Sequence, residues 1–308
     1  MRVENSVNDE LATEFDGHRP VLLGAAYRVV GSMTDAEDVV QEAWLRWAAA
    51  DRSEVRDTRA YLVRITTRLA LNRLRQQKSQ RETYVGPWLP EPIAATSDAD
   101  DPAVVAEVAD SVSMAMMVIL ETLTPLERAA FVLREVFDLP FGEIAETLGR
   151  SESAVRQLAH RAREHVHARQ PRQSVDKVRH AEVTASFLER AVQGDFDGLI
   201  ALLAPDVQLV SDGGGKKTAA LRPIEGADKV ARWLFGVLNR EQNSNIDIRF
   251  MSANGELATV AYLNGELDNV SFLQLDETGA ISKVYIVRNP DKLTTLPTLA
   301  ELDALQKA

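Results

Sequence analysis

Apolar residues recur at helical spacing over the first 170 residues of this chain, whereas between residues 245 and 288 they alternate with polar ones. That change of period predicts helices first and a sheet last. In TDAEDVVQEAWLRWAAA, Val40, Ala43, Trp44 and Trp47 make one stripe, Thr34 and Glu37 stand at capping-box spacing, and Asp38, Gln41 and Glu42 face the other way. The next helix, DTRAYLVRITTRLALNRLRQQK, buries Leu62, Ile65, Leu69 and Leu74 and turns Arg64, Arg68, Asn72, Arg73 and Arg75 outward. An acidic face suits a basic protein partner and repels DNA; a basic face suits phosphates, or is merely a solvated surface.

The stretch TPLERAAFVLREVFDLPFGEIAETLGRSESAVRQLAHRARE has the most specific pattern. Thr124 caps a helix with Pro125 at its first position and Glu127 closing a capping box. A helix over 141–148 buries Ile144, Ala145 and Leu148, Gly149 makes a tight turn, and a helix from Glu152 buries Val155, Leu158 and Ala159. This is a helix-turn-helix pattern. Its outward positions, Ser153, Arg156, Gln157, His160 and Arg161, are polar or cationic groups able to reach base edges and phosphates.

Beyond residue 173 the pattern gives two amphipathic helices, a strand ending in SDGGGKKT, a helix in GADKVARWLFGVLNR, and four strands. Turns are expected at Asn254-Gly255, Asn264-Gly265 and Glu277-Thr278-Gly279. Helices followed by an antiparallel meander predict an α+β cone. The glycines and lysines of SDGGGKKT suggest a phosphate loop, but the required spacing fails: Val210 stands where the first glycine belongs and Lys217 where the hydroxyl belongs. A loop joining strands is expected instead.

Charge divides the chain further. The net charge is −11 over 308 residues, yet 52–81 is strongly basic, whereas 82–112 holds acids and no Lys or Arg. That second stretch begins with Gly and prolines and reads as a linker entering a helix near Pro102. The boundaries fall near 82–101 and 170–174, giving segments 1–81, 82–112, 113–172 and 173–308. Cysteine is absent, which excludes disulfides and thiolate zinc sites. The longest apolar run, 114–120, is too short to span a bilayer, so a cytoplasmic protein without membrane contact is expected.

Taken in order, the acidic D-x-x-Q-E helix, AYLVRITTRLALNRLR, the acidic linker and the TPLER…EIAETLG…S…V segment resemble an extracytoplasmic-function (ECF) sigma factor of bacterial RNA polymerase. The resemblance covers residues 15–170. It implies two all-α domains, a helical bundle and a helix-turn-helix. Partners would be core RNA polymerase, through its β′ clamp helices and β flap, and promoter DNA. Asp38, Gln41 and Glu42 would grip the clamp. Arg64, Arg68, Asn72, Arg73 and Arg75 would read the −10 element, with loop 51–59 near the extruded base, and Ser153, Arg156, Gln157, His160 and Arg161 the −35 element.

The extension resembles a SnoaL-like cone and the sigma-factor subgroup that carries one, on three motifs: Trp88-Leu89-Pro90-Glu91-Pro92, Asp212-Gly213-Gly214-Gly215-Lys216 and Asn289-Pro290-Asp291-Lys292-Leu293. The resemblance implies a regulatory surface, without cofactor or metal. Trp88 is expected as a buried anchor, and Glu91 as partner of Lys216 or Lys292. The alternative is a regulator whose cone senses a small-molecule ligand or performs chemistry with His180, Asp206, Asp212, Tyr262 or Tyr285.

Overall fold

The computed structural model describes residues 10–53, 55–94, 108, 111–169, 176–240 and 245–305. The chain divides into two units, residues 1–82 with 101–170, and residues 83–100 with 171–308. The stretch read as a linker is thus split: residues 83–94 join the C-terminal unit. The helix start expected near Pro102 and the boundary at 170–174 lie outside the described residues.

The first unit contains helices α1 (Arg19–Val30), α2 (Met33–Ala49), α3 (Thr58–Glu82), α4 (Met114–Glu121), α5 (Pro125–Phe131), α6 (Phe141–Leu148) and α7 (Glu152–His167), with a π-helical turn at Val132–Val136. Helix α1 is buried from Leu22 to Val30, and Gly31 ends it at φ 77°. Helix α2 starts earlier than the sequence suggested. Its cap is Ser32, whose hydroxyl accepts from the Asp35 amide, and Thr34 lies within the first turn, because Met33 and Ala36 also face the core. Trp44 and Ile65, expected inside, are only half-buried. Trp44 packs at the bundle edge against Phe15, 5.3 Å between ring centroids, and Ile65 lines a polar cleft with Arg64 and Arg68. The capping box of α5 and the left-handed Gly149 after α6 form as expected.

An ionic knot fastens this unit internally. Glu121 pairs with Arg128 at 2.8 Å and accepts from Arg81 at 2.5 Å. Burial alone would raise the Glu121 carboxyl, but the two guanidinium groups hold it below the usual range.

The second unit contains α8 (Lys177–Gln193), α9 (Phe196–Leu202), α10 (Ala227–Arg240), α11 (Leu299–Leu305) and one sheet of β1 (Leu203–Asp212), β2 (Ile224–Glu225), β3 (Ile246–Ala253), β4 (Glu256–Leu263), β5 (Glu266–Leu275) and β6 (Ile281–Val287). Strand order is β2-β1-β6-β5-β4-β3. Strands β3 to β6 form the expected antiparallel meander. Strand β1 adds to β6 in parallel, which makes the sheet mixed. Asn254, Gly255, Asn264 and Gly265 all take positive φ, the geometry of two-residue hairpin turns.

Period-2 alternation gives this sheet two buried faces. One row, Val260, Val270 and Val287, is paired across three strands and fully buried. The neighbouring row, Thr259, Ser271 and Ile286, faces the opposite way. The second face lies under Phe187 of α8 and Trp233 and Leu234 of α10.

Candidate functional site

In the first unit the sequence-selected side chains emerge on three faces. Asp38, Gln41 and Glu42 are all exposed on α2. Asp38 lies 3.2 Å from Arg73, and Glu42 accepts from Arg46 at 2.7 Å. On α3, Arg68, Asn72 and Arg75 are exposed while Arg64 and Arg73 are half-buried. Arg73 donates to Asp35 at 2.8 Å. Arg64 donates at 3.2 Å to Glu143 on α6, so a residue of the basic helix is bound to the helix-turn-helix. All five outward residues of α7, Ser153, Arg156, Gln157, His160 and Arg161, are exposed, opposite the buried Val155, Leu158 and Ala159. Arg156 pairs with Glu152, and Arg161 pairs with Glu127 at 2.9 Å.

In the second unit the three motifs converge on one carboxylate. Strand β1 ends at Asp212, which is 0% exposed. Its carboxylate accepts from the Tyr84 hydroxyl at 2.5 Å, the Leu89 amide at 2.8 Å, the Gly214 amide at 3.1 Å and the Lys292 ammonium at 2.8 Å. Its carbonyl accepts from the amides of Arg288 and Asn289. Lys292 also donates to the Leu89 carbonyl at 2.5 Å and lies 3.2 Å from the centroid of the Trp88 ring. Asn289 donates to the Tyr84 oxygen at 2.8 Å. Burial first, then the Asp212 carboxylate, raises the Tyr84 phenol above its ordinary range, so it stays a donor.

The glycine loop has a steric reason. Gly214 sits at φ 58°, and a Cβ there would meet Asn289 Nδ2 at 2.4 Å; a Cβ at Gly213 would meet the Lys217 carbonyl at 2.3 Å. Glycine therefore lets the two motifs touch backbone to side chain.

Two expectations about this cluster need correction. Trp88 is half-buried and lies against a cation; the fully buried anchors are Leu89 and Ile93, both 1% exposed. Pro90, Glu91 and Pro92 are buried with them. Among the described residues Lys216 meets no linker acid: its ammonium binds Asp291, in the third motif, at 2.6 Å in an exposed pair. Pro290 is exposed, and Leu293 is buried beside Lys292. Sequence reasoning missed Tyr84 and Asn254. Asn254 exchanges two bonds with Ile93, its side chain accepting the Ile93 amide and its own amide donating to the Ile93 carbonyl. Its signal was visible only as an Asn-Gly turn.

The residues proposed for chemistry do not gather. His180 bonds the Leu273 carbonyl, Asp206 is exposed, and the Tyr262 hydroxyl donates to the Pro297 carbonyl. Burial, then Asp303 and Glu301, pushes Tyr262 up to about 12. Tyr285 is raised by burial and Glu256. Among the described residues no acidic, His or Cys cluster could hold a metal ion, and no helix is long and apolar enough to cross a membrane.

Comparison with known proteins agrees with this layout. Residues 15–80 match the family model Sigma-70 region 2, and residues 113–166 match Sigma-70, region 4. The chain is 40% identical to the ECF RNA polymerase sigma factor SigJ of Mycobacterium tuberculosis, over 92% of this chain and 94% of that protein. It is 34% identical to the probable ECF RNA polymerase sigma factor SigI of the same species, over 96% and 99%. The crystal structure of Mycobacterium tuberculosis SigJ superposes with a TM-score of 0.73 at 36% identity, covering 93% of this chain and 99% of that one. Two sigma regions and a SnoaL-like cone in one chain, matched along nearly its whole length, place this protein among the ECF RNA polymerase sigma factors.

Proposed function

We propose that this sigma factor binds the β′ clamp helices of core polymerase through Asp38, Gln41 and Glu42 and contacts the β flap through its region 4. The face of α3 carrying Arg64, Arg68, Asn72, Arg73 and Arg75 reads the −10 element, and the exposed face of α7 reads the −35 element. The C-terminal unit restrains these readers in cis. Elements named −10 and −35 lie roughly 25 base pairs apart, or about 85 Å along the duplex. In the first unit both readers sit together, with Arg64 bonded to Glu143, so the unit must open on the polymerase.

The observation that carries the restraint is the Asp212 hub. It holds Tyr84 and Leu89, in a segment that begins directly after α3 ends at Glu82. Docking residues 83–94 withdraws twelve residues, about 40 Å of extended chain, from the connection between the readers. Releasing the segment returns that length.

A reporter driven from the protein's own promoter, at matched protein levels, tests the reading. Truncation from Asn289 onward removes Lys292 and should raise transcription. Truncation after Gln173 leaves Leu89 and Ile93 without their cover and should lower it. Equal activity for full length and both truncations would overturn regulation in cis.

A further inference from the structure

In a helix-turn-helix the first helix crosses the DNA backbone, where carboxylates repel phosphates. Helix α6 takes that place here, yet its sequence FGEIAETL carries Glu143 and Glu146 and no Lys or Arg. Both acids stand against the basic helix α3 instead. The Arg64 guanidinium donates to Glu143 at 3.2 Å. Glu146, with Thr147, lines a polar cleft of about 260 Å³ together with Tyr61, Arg64, Ile65 and Arg68. Region 4 holds α3 at two further points: the Arg59 guanidinium lies 5.9 Å from the centre of the Phe137 ring, and Arg81 reaches Glu121. Arg59 and Arg81 are about 33 Å apart along the helix, so region 4 engages the basic helix from one end to the other.

We infer that α6 is a built-in phosphate mimic: Glu143 and Glu146 occupy Arg64 and Arg68 as a DNA backbone would, and keep the free chain off DNA until polymerase parts the two regions. The inference rests on α3 as the −10 reader proposed above. Spacing supports it. Glu143 and Glu146 are three residues apart and Arg64 and Arg68 four, so each pair shares one helix face, its members about 5–6 Å from each other. Chemistry supports it too, because the guanidinium fork that takes a carboxylate also takes a phosphate. A strand arriving at Arg64 must displace Glu143 and then lie beside Glu146.

The strength of the contact suits this use. The Arg64 and Glu143 side chains are 28% and 37% exposed, and a pair so open to water is weak. It sets a competitor against stray phosphates, yet yields readily when the regions separate. The device lies wholly within the sigma regions and needs no part of the C-terminal unit.

The test uses the full chain without polymerase and a fluorescein-labelled single strand of mixed sequence, about 20 nucleotides long, read by anisotropy over a range of salt. Glu143→Gln combined with Glu146→Gln should tighten binding about fivefold or more at low salt and steepen the slope of log affinity against log salt by about 0.7 for each arginine freed. Glu266→Gln, the same change of charge at an exposed position of the second unit, should alter neither. Glu143→Gln should lose its gain in an Arg64→Ala background, because the gain belongs to the pair. If Glu143→Gln fails to fold, Glu146→Gln, at an exposed position, carries the same cycle with Arg68→Ala. Wild-type affinity in the acid variants, a gain no larger than that of Glu266→Gln, or a gain that survives removal of the arginine would overturn the inference. Arg68→Ala in the chain with both acids neutralised tests the reading beneath it: unchanged single-strand binding there would reject α3 as the reader.

Discussion

Asp212 and Lys292, 80 residues apart in sequence, meet at 2.8 Å with 0% and 7% of their side chains exposed. Lys216 and Asp291, in the same two motifs, form a pair that is more than half exposed. The two pairs are not equivalent. An exposed pair is worth about 0–1 kcal/mol, whereas removing one partner of a buried, hydrogen-bonded pair costs about 3–5 kcal/mol.

Asp212→Asn should therefore undock residues 83–94, and Lys216→Ala should not. Chymotrypsin cleavage at Tyr84 and Trp88 measures this directly. We expect at least a tenfold faster cut in Asp212→Asn and an unchanged rate in Lys216→Ala. Equal rates in both variants would reject the hub as the fastening point.

Gly214→Ala should weaken the same docking through sterics alone, because a methyl group would stand 2.4 Å from Asn289 Nδ2 at φ 58°. A non-glycine residue held there costs about 1–3 kcal/mol. Gly265, at φ 83° with open space on the side where a Cβ would project, is the control: Gly265→Asn should leave the chymotrypsin pattern unaltered, since Asn tolerates the left-handed region.

Changing Asp38, Gln41 and Glu42 together to alanine should weaken binding to core polymerase by about 2 kcal/mol or more, roughly thirtyfold. Fluorescence anisotropy of the labelled protein against core enzyme reads this. Wild-type affinity in the triple variant would remove the clamp assignment.

Arg156→Ala and Arg161→Ala should each lower transcription from −35-dependent promoters, with a loss of about 1–3 kcal/mol in promoter affinity or a shallower salt slope. Polymerase binding should be unchanged. Both arginines are held by glutamates of this chain, Glu152 and Glu127, before DNA arrives. Glu152→Gln should thus tighten DNA binding modestly, and normal transcription by both arginine variants would mean that α7 presents another face.

The Glu121 carboxyl, ordinarily near 4.5, is held lower in the folded chain by Arg128 and Arg81. A depressed folded value contributes stability above the unfolded value and loses it as pH falls through the folded one. Glu121→Gln should accordingly be less stable than wild type in urea at pH 7, and the difference should shrink as pH drops below about 4.5. A constant difference across that range would show that the ionic knot contributes nothing through charge.

Much of this architecture is legible in the sequence because its signals are local. The α6–Gly149–α7 turn follows from a capping pattern and one glycine, and β3 to β6 follow from alternation punctuated by Asn-Gly turns. What escaped was non-local. Residues 83–94 carry prolines and little periodicity, so they read as a linker; their backbone is satisfied by Asp212, Asn254 and Lys292, far along the chain. The parallel pairing of β1 with β6 and the bulge at Asp268 likewise depend on partners that local pattern does not specify. Composition announced two lysines beside three glycines and one near the end, but only packing decides that Lys292 is the buried one.

The separation of Lys292 from Leu89, 203 residues, sets an order of events during synthesis. At about 5–20 residues per second, the ribosome completes both DNA-reading regions and then works for roughly another 6–25 s before the residue that closes the hub emerges. Each newly made molecule therefore passes through a window in which both sigma regions exist and Leu89 and Lys292 have not yet met, the state that truncation after Gln173 would make permanent. Freshly synthesised chains form a distinct population from mature ones, and the rate of translation itself becomes an input to how many chains a cell holds with the hub still open.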